Sequence, residues 1–224
     1  WHLAAGLVEL EAIGWADRIS AAGMAGPIRI ARRQARGTTA LQAASPGETV
    51  AQWLDRHGQS PRVCEMFWEP LALATLNQPA SVAAAPIFAR VLGELAGGDR
   101  RAAALAWSTV PLSELYVGPA TRFVEGRGGA VRTSAPARVR LAKGRVAAVD
   151  VRGERMEAGA VIVAVPWHAI GAAIGGEIEP IGDLAVRAER AAASPIVTVN
   201  LWLDRIILDV PFLGLPGRAM QWVF

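Results

Sequence analysis

Cysteine occurs once in the 224 residues, at Cys64, and histidine three times, at His2, His57 and His168. A single cysteine excludes an internal disulfide framework and any zinc cluster built on paired thiolates, and histidines this far apart give no ligand spacing. No metal site is therefore expected. The motifs GxGxxG, GxxxxGK[ST], GxSxG and HExxH are all missing, which removes a recognisable pyrophosphate turn, phosphate loop, serine elbow or zinc helix. Long apolar runs are missing too. The best candidate, residues 159–174, falls short of the roughly 20 residues a spanning helix needs and carries Pro166 and His168. No signal peptide is recognised. Charge of one sign is scarce as well: the pI is about 9.9, yet the net charge is only +3. That is thinner than the dense basic patch nucleic acid demands, so no nucleic-acid partner is expected. A reducing, cytoplasmic setting is the default.

Apolar residues, by contrast, are abundant. They make up 52% of the chain and the mean hydropathy is +0.28, which implies surface meant for another segment, a lipid or a greasy substrate. The chain starts at Trp1 and stops inside the apolar run AMQWVF, and the expectation is a piece of a longer protein. Its first hundred residues read as mainly α. Leu3, Leu7 and Leu10 form one helical stripe to Ile13, and Trp15 to Ala22 continues the pattern. Arg29, Arg32, Arg33 and Arg36 then fall at i, i+3, i+4, i+7, giving a helix one arginine face. Such a face is ordinarily just solvated; the sharper expectation is peripheral contact with anionic headgroups at the inner membrane.

Thr49 opens the next helix with Gln52 at the capping-box spacing, Val50, Trp53 and Leu54 form its apolar side, and His57-Gly58 ends it. Pro61 suits a first helical turn, after which Val63, Met66, Phe67, Leu71 and Ala74 mark an inward stripe that Pro70 should kink. A further helix runs over residues 81–95. After Pro111 the character changes: a short helix from Pro119 to Phe123 is stopped by Gly126, Gly128 and Gly129. Strands are then expected at 138–141, 145–151 and 161–165, with turns at Lys143-Gly144 and Gly153. The last, Val161 to Val165, is nearly continuous β-branched residues and reads as a strand buried on both faces. Residues 196–203 alternate toward a strand, and Met220 to Phe224 starts another. No internal repeat is evident.

Chemistry is concentrated just past the expected buried strand. His168 follows Trp167 there and could move a proton near neutral pH, although a packed histidine is the plainer reading. Glu65 and Glu69, at i, i+4, are more simply a solvated face than an acid/base pair. Eight tryptophans against one tyrosine is unusual. Trp53, Trp68, Trp107, Trp167, Trp202 and Trp222 divide between core and the walls of a pocket for a long apolar ligand, with Trp68, Trp202 and Trp222 the wall candidates.

Five segments taken together carry a family likeness: WEPLALATLN (68–77), LYVGPATRFVEGRGGAVRTSAPARV (115–139), VIVAVPWHA (161–169), SPIVTVNLWLDR (194–205) and FLGLPGRAMQWVF (212–224). In this order they resemble the squalene-associated FAD-dependent desaturase family, the hydroxysqualene dehydroxylases of the hopanoid route, within the flavin amine oxidase and phytoene desaturase superfamily. The resemblance runs from about Thr49 onward. It implies an α/β architecture, α+β in this piece: a mainly helical substrate domain plus part of a Rossmann-like FAD-binding domain with a β-meander. Residues 1–110 would be the helical substrate-binding region and 111–170 the partial FAD domain, with its helix, meander and buried strand. Residues 171–224 would return to the substrate domain.

The implied activity is that of an FAD-dependent oxidoreductase, removing the hydroxyl of hydroxysqualene to give squalene. The position matching Val139 would hold the adenine end through its backbone, and Ala164, Val165, Pro166 and Trp167 would lie near the cofactor. His168 is the candidate proton donor and the indoles candidate cation stabilisers. The glycine-rich pyrophosphate segment of the family is not in this sequence, so FAD binding is expected only of a longer protein. A carotenoid-type desaturase or a generic amine oxidase keeps the fold with other chemistry. A cofactor-free lipid-binding or interaction module is the alternative of a different class.

Overall fold

The computed structural model describes residues 6–7, 9–97, 103–104, 106, 108–176 and 181–224. The chain is α+β and divides into two compact units, Trp1–Ala106 with Ser194–Phe224, and Trp107–Ala193. The division after Ala193 lies further along the chain than the boundary at 170–171 expected from sequence. Of the expected first helix, residues 3–5 and 8 lie outside the described residues, as does Trp107.

The first unit is built on helices. Helix α1 (Trp15–Ala22) and α2 (Ala25–Ala35) follow one another through Gly23 and Met24, whose side chain is fully buried. Helix α3 (Val50–Arg56) starts as its sequence dictates: Thr49 Oγ1 accepts from the Gln52 amide at 3.3 Å, and the Thr49 amide donates to Gln52 Oε1 at 3.0 Å. This reciprocal cap satisfies two amides that the first turn would otherwise leave open. His57 and Gly58, the latter at φ +63, end the helix. Glu48 anchors the entry by accepting from Arg56 at 2.8 and 3.0 Å.

Helix α4 spans residues 61–76. Pro61 occupies its first turn, Ser60 Oγ accepts from the Val63 amide, and residues Cys64–Trp68 form a π turn in which the Glu69 amide donates to the Cys64 carbonyl. Pro70 therefore produces no break. The widened turn just before it takes up the missing donor and the ring's demand for space. The extra residue also shifts the helical phase, so the enclosed side chains are Val63, Trp68 and Ala72, while Ala74, expected inward, is exposed. Helix α5 (Ala85–Leu95) buries Phe88, Ala89 and Leu92. It crosses α2 so closely that a Cβ on Gly93 would lie 2.8 Å from the Ala31 carbonyl carbon, so this crossing needs glycine. Val50, Trp53, Leu54, Val63, Trp68, Phe88 and Leu92 form the core between these helices.

The second unit holds helix α6, residues 113–125, which also begins with a π turn (Ser113–Val117) placed just before a proline, Pro119. Its stop is the one expected: the Gly129 amide reaches back to the Val124 carbonyl at 3.0 Å, with Gly128 at φ +78. Strands β1 (Ala137–Ala142), β2 (Arg145–Val151) and β3 (Glu154–Met156) form an antiparallel meander. Its turns, Lys143-Gly144 and Arg152-Gly153, have both central residues at positive φ, the geometry that matches the twist of a tight hairpin. After a 3-10 turn (Trp167–Ala169), α7 (Ile170–Ala173) leads into β4 (Ile174–Gly176), which pairs parallel to β1. The sheet order is β3-β2-β1-β4, and α8 (Gly182–Arg190) follows.

The buried strand expected after the meander does not form. Val161 to Val165 is not a buried strand: the run belongs to no ladder, and Ile162 is 94% exposed. A strand buried on both faces needs neighbours on its edges and cover on its faces, and both inner strands of the sheet, β1 and β2, are already paired on each side. The third meander strand is instead the short polar β3, brought in by the Arg152-Gly153 turn. Residues 196–203 likewise run as an exposed, unpaired chain rather than a strand. The expected terminal strand does form, as β6 (Trp222–Val223) against β5 (Leu213–Gly214).

Candidate functional site

Val139 sits mid-strand in β1, buried, with Val149 opposite on one edge and Ile174 on the other. The adjoining polar face is set by Asp150, which accepts from Arg140 at 2.5 Å and from Arg155 at 3.3 Å. These hydrogen bonds, Arg140's above all, hold its carboxyl below the ordinary range. The strip from Ala164 to His168 belongs to the same unit and is joined to this strand by α7, which packs on β1. Ala164, Val165, Pro166, Trp167 and His168 are all exposed, and the turn is closed by the Ala169 amide donating to the Pro166 carbonyl at 2.9 Å. His168 thus faces solvent beside an exposed indole.

The three wall tryptophans, all in the first unit, do not come together as a wall. Trp68 is 1% exposed and donates its Nε1 proton to Gln59 Oε1 at 2.7 Å. Trp202 is 90% exposed. Trp222 is half-buried in β6, tilted against Phe212 at 6.4 Å between ring centroids. Glu65 and Glu69 do not act as a pair either, because the π turn between them breaks the i, i+4 face and Glu65 accepts from Arg62 at 3.0 Å. Burial pushes the Cys64 thiol up, with Glu69 and Asp55 adding to the effect, so it is not a nucleophile poised at neutral pH. Among the described residues no group of three or more His, Cys, Asp or Glu could hold a metal ion.

Sequence reasoning missed two features. Gln59 gathers a polar network: its amide nitrogen donates to the carbonyls of Ser20 and His57, while Ser60 Oγ donates to Asp17 Oδ1 and its amide to Ser20 Oγ. The Ser60-Pro61 helix start was a legible signal for Ser60, but nothing local marks Gln59. The second is His57, whose Nε2 is buried without a partner beside Trp53, ring centroids 5.6 Å apart. Burial lowers its pKa, the Arg56 charge adds to that, and Glu48 opposes it. A small open cavity of about 220 Å³ lies along α2 and α5, with Ala31, Ala35, Ala44 and Ala89 in its walls and Gln34 and Arg90 among its polar groups.

The residues that the family likeness sets beside FAD stand in two different settings. Val139 is enclosed by a strand on each side, and residues 164–167 stand on an open, unpaired stretch. No glycine-rich strand-to-helix turn exists in the sequence to receive a pyrophosphate. No family model, curated protein or solved structure matches this chain.

Proposed function

We propose that this chain is part of an FAD-dependent oxidoreductase acting on a long isoprenoid, with reductive dehydroxylation of hydroxysqualene to squalene as the reaction. The observation that carries the reading is the antiparallel meander at residues 137–156, in the segment where the family likeness sets the middle of the cofactor domain. The high apolar content and the exposed runs at 161–165 and 196–203 support a long apolar substrate and further segments of the same protein. In this reading the FAD site is completed by those further segments, and reduced FAD is the reductant of the full-length enzyme. His168, exposed and next to Trp167, gives its proton to the leaving hydroxyl, which departs as water. The exposed ring face of Trp167, beside His168 in the same unit, is the available stabiliser of an allylic cation, whereas Trp68 packs the core.

The test is a flavin absorbance and fluorescence titration of the 224-residue chain beside a longer chain that supplies a strand, a glycine-rich turn and a helix. FAD is expected to bind only the longer chain, and hydroxysqualene given to that protein with a reductant is expected to yield squalene. If the longer chain binds no flavin, the reading fails. If it converts phytoene or an amine instead, the fold-level reading survives and the substrate is wrong. Full turnover by the His168→Ala enzyme would show that the proton comes from another group.

A further inference from the structure

Helix α2, AGPIRIARRQA, carries Arg29, Arg32 and Arg33, with Arg36 at its C-terminal cap, and contains no acidic residue. Its packing decides which way the arginines face. Pro27 and Ala31 are buried, and Ala31 lies against Gly93 of α5. At about 100° per residue, Arg29, Arg33 and Arg36 fall within roughly 40° of the direction opposite Ala31. All three are exposed, and Arg32 on the flank is half-buried. The ion pairs among the described residues use Arg56, Arg62, Arg132, Arg140 and Arg155, so none of the α2 arginines has a carboxylate partner there.

We propose that the Arg29, Arg33 and Arg36 face of α2 docks this protein on an anionic lipid surface. The charge is uncompensated on the helix itself, which is the complementarity such a surface needs. The three guanidinium groups are spread along roughly 10 Å of helix axis, so they meet neighbouring headgroups rather than converge on one free anion. The preceding helix exposes Trp15 and Ile19 one turn apart, 73% and 72% exposed, with the Arg18 guanidinium 4.9 Å from the Trp15 ring centroid. An indole and an aliphatic chain of this kind suit the boundary between headgroups and acyl chains, and nucleic acid has no use for the isoleucine. The inference rests on charge and packing in the first unit and stands whether or not the chain binds a flavin.

Vesicle flotation tests it, using phosphatidylcholine alone and phosphatidylcholine mixed with phosphatidylglycerol. Binding is expected only to the mixed vesicles, weakening as salt is added. The triple variant Arg29→Gln, Arg33→Gln, Arg36→Gln is expected to lose about a hundredfold in partition coefficient. A control losing the same charge elsewhere, Arg145→Gln, Arg190→Gln, Arg218→Gln, is expected to bind like the parent. Thermal melts monitored by circular dichroism verify that both variants are folded. Equal binding to neutral vesicles, equal loss in the two triple variants, or capture of an oligonucleotide without capture of anionic vesicles would each overturn the proposal.

Discussion

Helices α4 and α6 share one local device in opposite surroundings. Each has a five-residue π turn, CEMFW in one and SELYV in the other, followed by one residue and then a proline, with the amide just before the proline reaching back five residues. A proline has no amide to give and its ring crowds the carbonyl four residues back, so widening the preceding turn is a local answer to a local problem. In α4 that turn delivers Trp68 into the core. In α6 it leaves Leu115, Tyr116 and Val117 on the surface, Tyr116 being 57% exposed. The contrast separates two causes: the X-Pro step accompanies the same backbone shape in both places, whereas burial depends on which partners lie within reach.

The largest test of that separation is truncation at the two turns. Trp68→Ala removes a fully buried indole and strands the Gln59 carbonyl oxygen, and is expected to cost about 3–5 kcal/mol. Tyr116→Ala is expected to fall within about 0.5 kcal/mol. Urea unfolding measures both, and comparable costs would mean that α6 is covered after all.

A pH series gives a second, smaller effect confined to the buried side. Because burial keeps the folded His57 below its ordinary value of 6.5, the unfolded chain takes up a proton first as pH falls. Stability is therefore fully present above about 6.5 and drops as pH goes down through the folded value. Denaturation midpoints at pH 8 and pH 5 should differ less in His57→Gln than in the parent. An unchanged difference would assign the acid sensitivity to other groups.

The smallest effect is conformational. Pro119→Ala restores a donor in an exposed helix, and residues 113–117 should relax to ordinary α, seen in Cα chemical shifts. Pro70→Ala should keep its π turn, because losing it would swing Trp68 out of the core. Should both turns persist, or both relax, tertiary packing would not be what distinguishes them.

Where local structure follows from short-range chemistry, the sequence was readable. The Thr49 and Gln52 cap, the Lys143-Gly144 turn, the glycine stop after Val124 and the outward arginines of α2 each follow from a few adjacent residues. The inward stripe of α4 holds through Leu71, which packs on the core, but passes over Trp68 and Ala72 and fails at Ala74, because periodicity assumes an unbroken 3.6-residue pitch and the π turn adds a residue. The strand at 161–165 failed because β-branched composition reports a capacity to be buried, and burial also requires partners that the composition of one segment does not contain. The candidate site inherits both limits. His168 lies next to the expected strand end, but the enclosure that would tune its chemistry depends on distant chain.

Gln59 has a consequence for how the first unit opens. Its amide spans Ser20 at the end of α1 and Trp68 in α4, thirty-nine residues back and nine forward. Releasing either helix alone would leave a buried amide half unpaired, so α1 and α4 lose protection from hydrogen exchange together, as one cooperative unit rather than as two frayed ends.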